Sequence, residues 1–270
     1  MPNCPYFEIH SFADPDRSFS GNPAGVALLE RFPDDEEMLG IANSNNLSET
    51  AFLVPAETDV WHLRWFTPTV EVDLCGHATL AAAAVVFEQD LVTSGLASFI
   101  TRSGRLEVEQ DGDRLCMNFP RVGFQPTAPS DVIKTALGLD DDPVEVVEID
   151  RIHGAKYQMW VVTDQDIVAT LEPDYSVLKR LNTNIIITAP GTSVDFVSRF
   201  FAPVSGVDED PVTGSAHCTL APYWADRLGK PLMSARQIGP RPGVLEVESK
   251  GERVSLSGHA SHYLSGEIKF

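Results

Sequence analysis

The chain has 270 residues, of which 43% are hydrophobic and 9% aromatic, so it contains enough apolar material for two domains of ordinary size. A net charge of −19 argues against a nucleic-acid partner, because phosphate binding requires a surface rich in Lys and Arg. Four widely spaced cysteines, a short polar N-terminus and the lack of an apolar run that spans a bilayer predict a cytoplasmic protein with no membrane attachment and no structural zinc.

The first half of the chain alternates short apolar strands with two helices. Hydrophobic patterning predicts helices over 36–44 and 78–87, and strands over 6–12, 26–29, 51–55, 60–66, 98–100, 104–109 and 114–118. Turn formers at Gly21, Asn22, Pro23 and Gly25 predict a loop over 19–25 that leads into the second strand. The pair Asp111-Gly112 predicts a hairpin turn between the last two strands.

The helix predicted over 78–87 consists almost entirely of small or apolar residues. A helix that is apolar on every side is normally buried, and ten residues are too few to cross a bilayer. Gly76 and His77 precede it, so unpaired backbone N–H groups carry a partial positive charge at this end. The pattern favours an anion-binding helix terminus, and an ordinary capped core helix is the alternative.

The second half begins with a predicted linker over 120–129. Helices are predicted over 130–137, 175–181 and 215–228, and strands over 144–149, 156–163, 184–188, 195–201, 243–249, 253–258 and 266–270. Strands and helices do not alternate as in a Rossmann fold, and neither a G-x-G-x-x-G sequence nor a P-loop is present. The fold class is therefore α+β, and nothing indicates a nucleotide.

The two halves share an internal repeat. Phe66 and Phe201 both stand before a Gly-led apolar helix and are 135 residues apart; the same offset aligns Pro55 with Pro190 and Val26-Ala27 with Val161-Val162. A repeat of this kind fixes the architecture. It predicts an N-terminal lobe over 1–120, completed by a strand near 260–270, and a C-terminal lobe over 125–260, with an active site in the cleft between them.

Chemistry is expected where the two copies differ. Glu49 aligns with Asn184, so one copy has a carboxylate where the other has a neutral amide. Glu49 also stands directly before an apolar strand, and partial burial raises the pKa of a carboxyl into a range suited to proton transfer. Asp210 precedes the second helix roughly where Cys75 precedes the first. The structural alternatives are a strand-end cap for Glu49 and a helix-capping acid for Asp210.

Five segments in order along the chain carry a family resemblance: GNPAGV (21–26), NLSET (46–50), CGHAT (75–79), RFFAP (199–203) and EDPVTGSA (209–216). With these segments the chain resembles the PhzF (phenazine-biosynthesis-like) isomerase family. The resemblance implies two similar pseudo-symmetric domains, each a barrel-like, mostly antiparallel sheet around a central helix, as in diaminopimelate epimerase. It also implies catalysis without a cofactor or metal, and a homodimer.

The resemblance further implies catalytic roles for Glu49, His77, Asp210 and Ser215. Glu49 takes a proton from a carbon next to an unsaturated or carbonyl system and returns it elsewhere on the same skeleton, while His77 and Asp210 position or relay protons. Backbone amides at the two helix ends hold the substrate carboxylate. The predicted binding residues are Gly76, Ala78, Gly214, Ala216 and Asn22. The expected substrate is a small anionic metabolite that bears a carboxylate, and its identity is left open.

Other functions stay open. Cys75 occupies the first position of the cysteine pair of the epimerase relatives, which allows a cysteine-assisted epimerase or racemase; the second position is interpreted as Asp210. A hydrolase built on Ser215 and His217 is disfavoured because G-x-S-x-G is missing and residues two apart on a helix do not face each other. A metal site at His259 and His262 is only weakly indicated. A non-catalytic binding or interaction protein on the same fold is the remaining alternative.

Overall fold

A computed structural model of the chain describes residues 3–150 and 155–270. The chain divides into two compact units. The first unit comprises Met1–Asn118 and Ser255–Phe270, and the second unit comprises Phe119–Val254. In these described ranges, no helix combines the length and the apolar composition that a membrane span would need.

The elements follow in chain order. The first strands are β1 (Asn3–Ala13), β2 (Asn22–Leu28), β3 (Glu49–Glu57), β4 (Val60–Phe66), β5 (Glu71–Val72), β6 (Leu96–Thr101), β7 (Gly104–Asp111) and β8 (Arg114–Pro120), with helices α1 (Asp35–Asn45) and α2 (Gly76–Glu88). The later strands are β9 (Phe124–Pro126), β10 (Glu145–Ile149), β11 (Lys156–Val161), β12 (Thr183–Pro190), β13 (Phe196–Ala202), β14 (Val207–Asp210), β15 (Leu232–Gln237), β16 (Gly243–Lys250) and β17 (Arg253–Lys269). The later helices are α3 (Asp131–Leu137), α4 (Gln165–Thr170), α5 (Tyr175–Arg180) and α6 (Gly214–Leu228), and a short 3-10 helix spans Pro203–Ser205.

In the first unit the strands form a closed barrel of eight. Neighbouring strands pair in the order β17, β1, β2, β3, β4, β6, β7 and β8, and β8 pairs back onto β17. The β2–β3 and β4–β6 pairs are parallel, and β1–β17, β1–β2, β3–β4, β6–β7 and β7–β8 are antiparallel. Helix α2 packs against β1, β2, β3 and β6, and its residues 77–86 are all buried. The prediction of an apolar helix at the centre of a barrel-like sheet is confirmed.

The second unit repeats this plan. Its strands pair in the order β9, β10, β11, β12, β13, β15 and β16, with β11–β12 and β13–β15 parallel. Helix α6 packs against β15 and β16, and a large apolar core lies between the strands and helices α3, α4 and α5. The α+β class with two similar, mostly antiparallel domains is therefore confirmed.

Strand register tests the repeat residue by residue. Thr50 pairs with Phe66 on β3–β4, and Ile185 pairs with Phe201 on β12–β13, so the offset of 135 holds for these strands. The alignment of Val26-Ala27 with Val161-Val162 is wrong. Val26 pairs with Ala51, whereas the residue that pairs with Ile186 is Met159, so the counterpart of Val26 lies two residues earlier than expected. The connection that follows this strand is two residues longer in the second unit, between β11 and β12, than in the first unit, between β2 and β3.

The predicted loop over 19–25 is also wrong in its second half, because β2 already begins at Asn22. Pro23 is tolerated there because it pairs only with His10 on β1, and pairing with β3 starts one residue later at Ala24. Gly25 is required for packing rather than for a turn: a Cβ atom at this position would lie 2.5 Å from the Tyr6 hydroxyl. The predicted separate strands at 253–258 and 266–270 are parts of the single strand β17.

Helix α6 contains a proline, Pro222, which cannot donate a backbone hydrogen bond to the carbonyl of Cys218. The backbone N–H of Val122 donates to this carbonyl instead, at 3.1 Å. The segment predicted as a linker thus supplies the hydrogen-bond donor that Pro222 cannot give to the Cys218 carbonyl. Three residues of the same segment form β9.

Candidate functional site

Glu49 is the first residue of β3 and lies beside Ala24 of the parallel strand β2. Helix α1 ends at Asn45, and the residue that follows, Asn46, adopts a left-handed conformation with φ of 52°. Asn46 also donates its backbone N–H to the carbonyl of Ala42, so the chain turns sharply and enters the strand three residues later. This local geometry places a carboxylate at the end of a buried strand, with 18% of its side chain exposed.

His77 lies in the first turn of α2 and is 5% exposed. Its Nε2 atom is 3.2 Å from Oε2 of Glu49, and its Nδ1 atom is 3.5 Å from Sγ of Cys75. The hydroxyl of Ser11, on β1, donates to the backbone carbonyl of His77 at 2.7 Å. The helix start is therefore tied to the barrel wall, and its imidazole contacts a carboxylate on one side and a thiol on the other.

Burial lowers the pKa of His77 to about 4, so the imidazole is neutral at pH 7. A neutral imidazole carries one hydrogen, which it can donate through one nitrogen while the other nitrogen accepts. Beside Glu49 it can donate to the carboxylate or accept from the protonated carboxyl. Both states occur in a cycle in which Glu49 gains and loses a proton.

The three side chains of Glu49, Cys75 and His77 also form a group that could hold a metal ion, because their ligand atoms lie within 4.8 Å of one another. His77, however, turns a different nitrogen toward each neighbour. One ion cannot lie on both sides of the ring, so chelation by all three side chains would require a rearrangement. As it stands, the imidazole lies between the carboxylate and the thiol, with one nitrogen 3.2 Å from Glu49 Oε2 and the other 3.5 Å from Cys75 Sγ.

Asp210 ends β14 in the second unit and pairs with Phe200 on β13. Its Oδ2 atom accepts a hydrogen bond of 2.5 Å from the hydroxyl of Thr213, the N-cap residue of α6. In the first unit, the residue that pairs with the counterpart of Phe200 is Val72, and the N-cap of α2 is Cys75. The interpretation of Asp210 as the counterpart of Cys75 is therefore wrong: Thr213 holds that position, because the second unit has three extra residues between β13 and β14, in the connection that contains the 3-10 helix.

Both long apolar helices begin without a carboxylate in their first turn, and within the described residues neither N-cap side chain bonds to a helix N–H. Among the predicted binding residues, Gly76 is half-buried at the start of α2 and Ala78 is buried. Gly214 and Ala216 are buried at the start of α6, and Ser215 between them is exposed. The N-terminal N–H groups thus lack the usual competing anion, which is the property that an anion site requires.

Two further predicted positions have different surroundings. Asn22 is fully buried on β2 opposite Ser11. Asn184, the counterpart of Glu49, is also buried; its amide donates to Ser205 at 2.9 Å and accepts from the backbone of Val204 at 3.2 Å. In the second unit this position therefore holds the 3-10 helix in place, whereas in the first unit it presents a carboxylate to His77.

Ser215 and His217 are the residues of the hydrolase alternative, and His259 and His262 are those of the alternative metal site. His217 is fully buried and its Nδ1 atom bonds to the carbonyl of Thr213 at 2.8 Å, while Ser215 is exposed, so the two do not form a nucleophile and base. His262 pairs with Glu88 at 2.7 Å, and His259 lies 3.6 Å from Asp113. Each of these two histidines has its own carboxylate neighbour instead of sharing a ligand site.

Three polar residues that hold the two helix starts were not expected from sequence: Ser11 in the first unit, and Thr213 and Gln237 in the second. Ser11 bonds to His77, 66 residues further along the chain, and Gln237 bonds to Thr213, 24 residues earlier. Thr213 could have been found by aligning the two helix starts directly, because Gly76 and Gly214 both start a helix and Cys75 and Thr213 precede them.

The two buried histidines lead to a prediction about acid stability. Burial lowers the pKa of His77 and of His217 to about 4, below the ordinary value of 6.5. Between about pH 6.5 and about pH 4 the unfolded chain binds protons that the folded protein excludes, so the free energy of unfolding falls as the pH falls, by about 1.4 kcal/mol per pH unit and histidine. Above about pH 6.5 both histidines are neutral in the folded and in the unfolded chain, so their contribution to the free energy of unfolding no longer changes with pH.

We expect His217→Gln to make this pH dependence shallower, measured as urea unfolding at several pH values from 7 to 5. The matched control is His62→Gln, because His62 is exposed on β4. An unchanged slope in His217→Gln, or an equal change in both variants, would contradict the assignment.

Comparison with known proteins adds an independent observation. The model of the family described as phenazine biosynthesis-like protein matches residues 9–266. A Pseudomonas aeruginosa protein described as an uncharacterized isomerase is 48% identical over 263 residues, which cover 97% of each chain. The crystal structure of a PhzF family phenazine biosynthesis protein from Enterococcus faecalis covers 100% of both chains with a TM-score of 0.91 and 40% identity.

A more distant likeness extends to the fold alone. The structure of a hydroxyproline epimerase from Agrobacterium vitis, with bound trans-4-hydroxy-L-proline, matches with a TM-score of 0.62 at 11% identity. The match covers 98% of this chain and 92% of the epimerase chain. The predicted family resemblance, the epimerase-like fold and the assignment to the isomerases are confirmed by these relatives.

Proposed function

The chain belongs to the phenazine biosynthesis-like (PhzC-PhzF) family, and from this premise we propose that it is a cofactor-independent isomerase that moves a proton on a small carboxylate-bearing metabolite. Glu49 is the acid/base group. The observation that carries this proposal is the distance of 3.2 Å between Glu49 Oε2 and Nε2 of the buried, neutral His77.

In the proposed step, the Glu49 carboxylate removes a proton from a carbon next to a double bond or carbonyl. The electron pair of the broken C–H bond moves into the conjugated system, and a new C–H bond forms at another carbon when Glu49 returns the proton. The reaction needs no oxidant and no leaving group. Proton transfer by a positioned side chain of this kind contributes about 10²- to 10⁴-fold to the rate.

The other predicted residues have supporting roles. His77 exchanges a hydrogen with Glu49, and Asp210 relays or positions a proton through its bond to Thr213. The backbone N–H groups around Gly76 and Gly214 bind carboxylate, because each helix N-terminus has no acidic residue in its first turn. A homodimeric state and a cytoplasmic location stay predictions that rest on the family resemblance and the sequence.

The test is an isotope experiment in D₂O. The protein is incubated with a panel of small carboxylic acids that carry a C–H bond next to a C=C or C=O group, and products are followed by NMR and mass spectrometry. We expect at least one acid to give an isomer with a shifted double bond and with deuterium on the carbon that receives the proton. Hydrolysis products, or turnover that requires an added cofactor, would contradict the proposal.

A second candidate is a cysteine-assisted epimerase, and the contact of Cys75 Sγ with His77 Nδ1 at 3.5 Å favours it. The counterpart of Cys75 in the second unit is Thr213, which disfavours a reaction with two thiols. The same experiment separates the two candidates. Epimerisation places deuterium on the carbon that lost its hydrogen and leaves the double bonds unchanged, and Cys75→Ser would then abolish exchange while Glu49→Gln would keep it.

A further inference from the structure

Gln237, the last residue of β15, lies outside every sequence segment that indicates the function and is 1% exposed. Its Oε1 atom accepts a hydrogen bond from the backbone N–H of Thr213 at 2.9 Å. Its Nε2 atom donates to the backbone carbonyl of Asp210 at 2.6 Å and lies 3.3 Å from the hydroxyl oxygen of Thr213. One buried amide therefore joins both ends of the turn from Asp210 to Thr213.

The partners fix which way this amide points. The oxygen faces a backbone donor and the nitrogen faces a backbone carbonyl, so a flipped amide would set donor against donor and acceptor against acceptor. Because Nε2 also donates toward the Thr213 oxygen, the hydrogen of that hydroxyl is left to point at Asp210. The Thr213 hydroxyl donates a hydrogen bond to Oδ2 of Asp210, with an oxygen–oxygen distance of 2.5 Å.

The first unit lacks this arrangement in its described residues. The strand pairings Trp61–Phe99 and Phe196–Ala235 correspond, so the counterpart of Gln237 is Thr101. The hydroxyl of Thr101 bonds to the carbonyl of Gly104 in its own hairpin. We call the hydrogen bonds of the Gln237 amide across the turn from Asp210 to Thr213 the amide clamp. It is a difference between the two units, and it lies where the second unit has Asp210 and the first has Val72.

We propose that Gln237 is a positioning residue for the proton-transfer reaction: it orients the Thr213 hydroxyl and thereby holds the Asp210 carboxylate as a hydrogen-bond acceptor in one position. This inference rests on the proposed function, because it acts through Asp210. Gln237 itself has no direct role in bond making or breaking.

The test uses two variants of nearly the same shape. Gln237→Met removes both hydrogen-bonding groups. Gln237→Glu keeps an acceptor for the Thr213 N–H but places a second carboxylate oxygen where Nε2 was, and this oxygen competes with Asp210 for the Thr213 hydroxyl. The matched control is Gln158→Met, because Gln158 belongs to the same unit and accepts from the indole of Trp160 at 3.0 Å.

The first readout needs no substrate. We expect hydrogen exchange at the Thr213 amide to become about tenfold faster or more in Gln237→Met, and to stay near the parent value in Gln237→Glu and in Gln158→Met. The second readout is kcat and KM for the first acid of the panel that is converted in D₂O. Both Gln237 variants should lose about tenfold or more in kcat with little change in KM, while Gln158→Met keeps the parent kcat.

The variants separate the possible failures. A purely structural clamp would leave Gln237→Glu active, because that variant still holds the Thr213 backbone; this result would overturn the inference. Full activity in both Gln237 variants, together with loss of activity in Asp210→Asn, would overturn it while the proposed function stands. Full activity in Asp210→Asn removes Asp210 from the reaction and the inference with it. If no acid of the panel is converted, the proposed function fails, and unchanged Thr213 exchange in Gln237→Met would overturn the clamp as well.

Discussion

Replacing Glu49 with glutamine is expected to lower the rate of deuterium transfer by about 10²- to 10⁴-fold, the contribution of a positioned acid/base group. Glutamine has the size of glutamate and can still accept a hydrogen bond, but it cannot take up the substrate proton at neutral pH. The barrel and α2 should remain folded, because the side chain is partly exposed at the end of β3 rather than inside the core. Turnover of the panel acid in D₂O is the measurement.

The matched control for this prediction is Glu57→Gln at the opposite end of the same strand. Glu57 is exposed and ends β3, so its substitution changes the net charge equally without touching His77. The control should keep the parent rate. Equal rates in Glu49→Gln and Glu57→Gln would remove Glu49 from the mechanism.

A double variant tests whether Glu49 and His77 act together. Their side chains are 3.2 Å apart, and groups that act as one unit are strongly non-additive. We expect His77→Asn to lower the rate on its own, and Glu49→Gln/His77→Asn to be no slower than Glu49→Gln alone. If the rate of the double variant fell by the product of the two single-variant reductions, Glu49 and His77 would act in separate steps.

The second large effect is expected from Arg199→Met, which should lower the free energy of unfolding by about 3–5 kcal/mol, as for loss of one member of a buried ion pair. The guanidinium of Arg199 binds Glu209 through two hydrogen bonds of 2.7 and 2.8 Å, and the two side chains are 6% and 12% exposed. It also donates to the backbone carbonyls of Val168 and Leu171 and lies over the ring of Phe201. Methionine fills much of the volume but leaves the Glu209 charge without its cation.

The repeat supplies a matched control for this prediction. Arg64, the counterpart of Arg199, binds Glu71 with the same two-bond geometry and lies over Phe66. Its side chain is 20% exposed, and Arg102 contacts the same carboxylate at 2.7 Å. Arg64→Met should therefore lower the free energy of unfolding by less than Arg199→Met, because Glu71 still has Arg102 beside it. Urea unfolding of both variants at pH 7 is the measurement, and equal losses would contradict this account.

Part of the candidate site follows from residues that are close in sequence. His77 and Cys75 are two residues apart at the start of a helix whose composition already predicted burial. The repeat places Asn184 opposite Glu49, and the registers of β3–β4 and β12–β13 agree with that alignment. The site roles themselves stay predictions until the variants are measured, and the family and the isomerase class are established by the relatives.

The sequence by itself determined the class of the fold, the two central apolar helices and most of the strands, because hydrophobic period and composition act over neighbouring residues. Only the tertiary structure decided where the three extra residues of the second unit lie, that β2 starts at Asn22, and that Ser11 and Gln237 hold the two helix starts. These features depend on loop lengths and on hydrogen bonds between residues that are 24 and 66 positions apart along the chain. Local patterning carries no information about such contacts, because a polar residue at the end of a strand has the same pattern whether it faces water or a helix N-cap.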